Sequence, residues 1–229
     1  GKRTLLQPYQ SVGAKAVVTL AAKLMLAMLP PQTAFFKLQV RDDKLGQTLD
    51  PMMRSELDLS FSKIERLIMD YIAASSDRVV VHQAFKHLIV SGNALIFMAK
   101  DGLKHYPLNR YVVERDGNGN VIEIITKEMV SRKVLGLTPP PSEEPNANGD
   151  YGVDGDDAEV YTCVKLDESS GNWRWHQEVD DMILEGSQST APKNASPWLV
   201  LRFNTVDGED YGRGRVEEFI GDLRSLDGL

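Results

Sequence analysis

Cysteine is nearly absent. Cys163 stands alone in a chain of 229 residues, so no disulfide can close within it and no cysteine-based zinc cluster can be built. That count fits a reducing compartment. Basic residues are in the minority, 26 Lys and Arg against 33 Asp and Glu, for a net charge of −7. On average this excludes a protein coated with basic patches for gripping nucleic acid, although a local basic stripe survives it. Long uncharged apolar runs are missing too. The longest, Val12 to Leu29, carries Lys15 and Lys23 and ends in Pro30-Pro31, whereas a membrane span wants about 20 mostly uncharged residues. It reads as a buried amphipathic helix, and no membrane partner is expected. No signal peptide is visible, because Gly1-Lys2-Arg3 leads into a polar stretch, and the first residue is not Met, so the true N-terminus can lie upstream. There is no internal repeat. What remains is 42% hydrophobic and 26% charged, ordinary globular composition. A chain of this size can bury roughly 70% of its unfolded surface without staples.

Three helices are predicted in the first ninety residues. Ser11 is a candidate cap for the first, whose apolar side carries Val12, Ala16, Leu20, Leu24 and Met28, and Pro30-Pro31 ends it. Phe35 to Val40 alternates like a short strand. Asp50-Pro51 starts the second helix, with Leu57, Phe61, Ile64, Ile68 and Tyr71 on one face. The third starts at Asp77 and turns Val81, Ala84 or Phe85, and Leu88 inward. After Ser91-Gly92-Asn93 the pattern becomes β: ALIFMA from Ala94, YVVER from Tyr111, a turn at Asp116–Asn120, and the returning strand Val121 to Thr126. A second hairpin joins Glu159–Leu166 to Trp173–Val179 through Asp167–Asn172, and Trp198 to Phe203 is the last strand. Residues 136–158, rich in Pro, Gly, Asn and Asp, read as a mobile surface loop. Helices first and antiparallel hairpins second predict an α+β fold, organised as a mainly helical 1–91, β hairpins over 92–206, and a terminal helical segment 207–229.

Chemical motifs fail one at a time. His82 and His87 are five apart, where a zinc pair on a helix needs four. His105 and His176 show no neighbouring ligand pattern, and Cys163 sits in a strand with no indicated histidine partner. Asp116–Asn120 begins like a calcium loop but has Val121 where glycine is needed and Lys127 in place of the closing glutamate; Asp154–Asp157 also lacks the glycine. Gly212-Arg213-Gly214-Arg215 opens a helix without completing a phosphate-binding motif, and carboxylates surround it. Glu217 and Glu218 instead suit the positive end of a helix dipole. Val216, Phe219, Ile220, Leu223 and Leu226 form one apolar stripe. No catalytic residue, metal or cofactor is predicted. Arg213 and Arg215 remain available for carboxylates or phosphates on another surface.

Several segments, in order, carry a resemblance: LAAKLMLAMLPPQ from Leu20, IERLIMDYI from Ile64, LIVSGNAL from Leu88, YVVERD from Tyr111 with GNV from Gly119, and LDESSG from Leu166. The strongest is GEDYG from Gly208 followed by VEEFIGDLRSL from Val216. The chain resembles the portal, or head-to-tail connector, family of short-tailed bacteriophages and cyanophages, over nearly all its length. The resemblance implies the N-terminal wing of a ring subunit, twelve-fold in that family, at one capsid vertex of the virion, assembled in the host cytoplasm. Its implied partners are further copies of itself, capsid protein, the packaging terminase and tail or adaptor proteins, with double-stranded DNA passing through without sequence readout. The segment from 207 would lead toward the stem; stem, clip and crown lie beyond Leu229. Arg213, Arg215, Glu217 and Glu218 are the candidate inter-subunit contacts. The rival readings are a nucleotide-using phage enzyme and a monomeric adaptor that binds a protein through residues 198–226.

Overall fold

Small and apolar residues at Gly13, Val17, Ala21, Leu24 and Met25 give the first helix its covered side. In this computed structural model, which describes residues 11–31, 33–39, 50–137, 141–145, 151–153 and 157–227, α1 runs from Val12 to Met28. Ala21 is fully buried and Met25 nearly so, while Val12, Leu20 and Met28 are exposed. The predicted stripe is therefore rotated by one position. Small residues explain the choice: an added Cβ on Gly13 would stand 3.7 Å from Leu223 Cδ2, so that side of α1 can be approached closely. Ser11 occupies the N-cap position without a side-chain capping bond.

Phe35 to Gln39 form no strand, and Val40 lies outside the described residues. The Leu38 N–H finds its acceptor at Glu65 Oε1, 2.6 Å away, on the second helix instead of on a ladder. That helix, α2, spans Pro51–Ala74 with proline in its first turn, as the Asp50-Pro51 signal predicts, and none of its residues is buried. α3 (Asp77–Ser91) carries the buried Ala84, Phe85, Leu88 and Ile89 and packs on α1. Arg78 Nη1 donates to the Leu29 carbonyl at 2.7 Å, tying the start of α3 to the end of α1.

The β elements follow. β1 (Asn93–Ala99) and β2 (Gly102–Tyr106) turn at Lys100-Asp101, and the Asp77 carboxylate accepts from the Leu103 N–H at 2.8 Å. β3 (Tyr111–Arg115) and β4 (Val121–Ser131) flank the Asp116–Asn120 turn; β4 extends five residues past its predicted end because Lys127–Ser131 pair with residues 157–161. β5 (Pro141–Pro145) and β6 (Tyr151–Val153) form a two-stranded ladder inside the segment expected to be a loop. Asp157 and Ala158 also leave that loop: they open β7 (Asp157–Asp167), where Ala158 is 1% exposed beside Val160 and Val179. β8 (Asn172–Val179), β9 (Met182–Ile183), β10 (Ser189–Pro192) and β11 (Trp198–Arg202) complete the set; β2, β9 and β10 were not predicted. One sheet has the order β10-β8-β7-β4-β3 with β9 on β8, and a smaller one the order β11-β1-β2.

Two compact units share the chain: residues 1–91, 98–105 and 214–229 in one, residues 92–97 and 106–213 in the other. In the second, strand alternation does the sorting. Ile124, Val164 and Trp173 from the large sheet meet Leu95 and Trp198 from β1 and β11, with Tyr106, Tyr111 and Val113, in one core. Each such side chain contributes about 1.5–3 kcal/mol by leaving water. Trp198 is the hub, stacked on Phe97 at 4.2 Å between ring centroids and edge-on to Trp175 at 6.4 Å. Among the described residues no helix is long and apolar enough to cross a membrane. The last helical segment is broken: α4 covers Arg215–Glu218, Phe219 leaves helical geometry at φ −107° and ψ 14°, and α5 resumes at Ile220–Asp227. The sequence pattern predicts a single amphipathic helix there.

Candidate interface segment

The segment from Asp207 to Arg213 is held by buried polar chemistry. Asn93, 3% exposed, presents its amide edge to Gly212: Nδ2 donates to the Gly212 carbonyl and Oδ1 accepts from the Gly212 N–H, both at 2.7 Å. A side-chain amide matches a peptide group in donor and acceptor, so one asparagine satisfies both at once. Only glycine fits opposite it. A Cβ on residue 212 would lie 2.7 Å from the Gly92 carbonyl oxygen and 2.8 Å from Arg202 Cβ. Just before that lock, the chain is tied to β3. Asp210 Oδ1 accepts from the Arg115 N–H at 2.9 Å, the Asp210 carbonyl accepts from Arg115 Nε at 2.9 Å, and the Tyr211 hydroxyl accepts from the Val113 N–H at 3.2 Å. Arg202 Nη1 reaches the Glu209 carbonyl at 2.8 Å. Burial, with Arg202 nearby, lowers the Arg115 pKa, although the guanidinium keeps its charge. GEDYG is thus a strap wired to the β unit largely by its own backbone.

The four predicted contact residues sit beyond this lock, in the open. Arg213 pairs with Glu209 at 2.6 Å, and that ion pair holds the Glu209 carboxyl below its usual range. Arg215 pairs with Glu218 at 2.7 Å across α4. The expectation that both arginines are left available needs correcting: each already has a carboxylate in its own chain. These pairs are exposed, so each is worth about 0–1 kcal/mol and exchanges readily for another partner. Glu217 and Glu218 lie in the first turn of α4, as the dipole argument required. Sequence reasoning missed Asn93 and Arg115, although an Asn after glycine, ahead of an apolar run, was a visible signal.

Elsewhere, the calcium-loop likeness at Asp116 dissolves into a turn. Its carboxylate accepts from the Asn118 and Asn120 N–H groups and from Asn120 Nδ2, and these bonds, that side chain first, lower its pKa. Two histidines have neighbours that sequence spacing did not show. His105 lies against His87, ring centroids 4.6 Å apart, and burial followed by that neighbour lowers its pKa to about 4. His176 lies directly across from Cys163 in the β7–β8 ladder and touches Glu178 at 2.7 Å. Counting outward from the Asp167–Asn172 turn would have found that pair.

The comparisons with known proteins agree with one another. The family described as bacteriophage head to tail connecting protein matches residues 1–229. The portal protein of Enterobacteria phage T3 is 39% identical over 97% of this chain, and that of Escherichia phage T7 is 38% identical over 97%. The portal protein of Enterobacteria phage SP6 is 30% identical over 94%. The chain spans 42% of the length of each of these curated relatives. Matched by the family model along its whole length, the chain belongs to the bacteriophage head-to-tail connecting protein family.

Proposed function

We propose that this chain is the wing part of a portal subunit: a structural element that acts by shape and position in a closed ring at one capsid vertex. The observation that carries this reading is similarity to proteins named portal protein along 97% of the chain. The ring, of twelve copies, gives double-stranded DNA its way in during packaging and out during ejection. Capsid protein, the packaging terminase and tail proteins dock on it, in the assembling particle in the host cytoplasm and then in the virion. A net charge of −7 supports a conduit. Every phosphate contact adds salt-dependent attraction that would hold a sliding duplex, and base readout would stall it. Ring closure needs a heterologous interface whose rotation closes.

Arg213, Arg215, Glu217 and Glu218 are the proposed contacts between neighbouring subunits, with the intrachain pairs exchanging for carboxylates and guanidiniums of the next copy. Electron microscopy of the full-length protein tests the main reading: a ring with a central hole is expected, and a monodisperse monomer at micromolar concentration would overturn it. Reversing charge at Arg213 and Arg215 together should weaken ring assembly. If rings form normally and only packaging changes, those residues are not subunit contacts.

A further inference from the structure

A thiol alone in a strand packs as a small apolar group. Cys163 has different surroundings. It is half-buried, directly opposite His176 in the β7–β8 ladder, and Glu178 follows two residues along β8 on the same face. The sulfur, an imidazole nitrogen and a carboxylate oxygen all lie within 4.8 Å of one another. Neighbouring acids on β4 and β7 are matched with cations: Glu123 with Lys165 at 3.3 Å, Asp167 with Arg174 at 2.9 Å, Glu159 with Lys127 at 2.6 Å. The Tyr161 hydroxyl, across from Glu178, donates to Glu159 at 2.8 Å. Among the described residues Glu178 faces instead an imidazole, 2.7 Å away, and that thiol.

We propose that Cys163, His176 and Glu178 form a binding site for a soft divalent cation, zinc in the first instance. Thiolate, imidazole and carboxylate are the zinc donor set, and thiolate disfavours magnesium and calcium. Zinc bonds of about 2.0–2.3 Å put ligand atoms roughly 3.5 Å apart in a tetrahedron. To reach that spacing the imidazole and carboxylate, 2.7 Å apart, have to part by about 1 Å. The strands fix the ligand-bearing backbone in advance. On binding, the thiol releases its proton to solvent; thiolate and carboxylate then balance the charge of the ion. Three protein donors leave the fourth position to water.

The test is zinc titration of the purified chain against a chromophoric chelator, with cobalt(II) as a spectroscopic substitute. One ion per chain is expected, with a thiolate-to-cobalt charge-transfer band. Affinity should fall at least about tenfold in Cys163→Ser and in His176→Gln. Zinc should also slow alkylation of Cys163 about tenfold, because the coordinated sulfur is masked. Circular dichroism of the metal-free variants should match the parent, which separates lost ligands from lost fold. Absence of binding at micromolar zinc, equal affinity in Cys163→Ser, or a cobalt spectrum without the thiolate band would each overturn the proposal. So would loss of binding in His105→Phe, which would place the ion at the His87–His105 pair.

Discussion

Replacing Asn93 with alanine removes both hydrogen bonds to Gly212 in one step. Each bond contributes about 1 kcal/mol net, and leaving the Gly212 N–H and carbonyl buried without partners adds a desolvation cost of about 1–3 kcal/mol each. Water entering the space left by the amide recovers part of that, so the expected loss is about 3 kcal/mol. Urea unfolding followed by tryptophan fluorescence measures it, since Trp173, Trp175 and Trp198 all lie in the unit that contains Asn93 and Gly212. With a slope of about 3 kcal/mol per molar urea, the midpoint should fall by about 1 M. Asn118→Ala, at an exposed turn position whose contribution is a backbone N–H, should move it by no more than about 0.2 M. Gly212→Ala breaks the same lock from the other side, so the double variant should cost clearly less than the two single losses added together. A midpoint for Asn93→Ala within about 0.2 M of the parent would refute the reasoning and show that the strap is held by its other ties.

Trp198→Ala should cost about 3–5 kcal/mol, as for other buried aromatics truncated to alanine. Trp198→Phe should cost far less than that, because the buried indole N–H has no hydrogen-bond partner among the described residues; urea midpoints compare the two. Burial, with His87 beside it, lowers the His105 pKa to about 4 when folded, from an ordinary 6.5. The unfolded chain therefore takes up the proton first, and stability should decline as pH falls from 6.5 towards 4 and lose nothing further from this group below that. His105→Phe should flatten that part of the pH profile; an unchanged slope in thermal melts would refute the assignment.

The strands that bury one face were legible from sequence because period two survives only where a face is covered. Val160 and Val164 in β7, and Ile124 in β4, show this plainly. FFKLQV has the same alternation, but among the described residues no neighbouring strand supplies a ladder, so periodicity alone misled. β2 carries its signal in Lys100-Asp101-Gly102, a turn after the apolar β1; β9 and β10 are short, and the polar β10 has no apolar pattern to read. The break at Phe219 leaves the spacing of Val216, Phe219, Ile220 and Leu223 intact, which is why the pattern reads as a continuous helix. Of the segment from Asp207 to Glu218, the glycines and charges were visible but their pairing was not. Arg213 pairs with Glu209, and Gly212 beside it is held by Asn93, 119 residues earlier in the chain.

α2 puts no residue inside along 24 positions, roughly 36 Å of helix at 1.5 Å per residue. Its outward side chains, among them Met52, Leu59, Leu67 and Tyr71, can be rewritten without opening a cavity. Denaturation curves should therefore barely register such rewriting, while any assay that depends on something pressing against that rod should register it fully. A handful of polar replacements along α2 thus offers a way to separate defects of the chain from defects of its company.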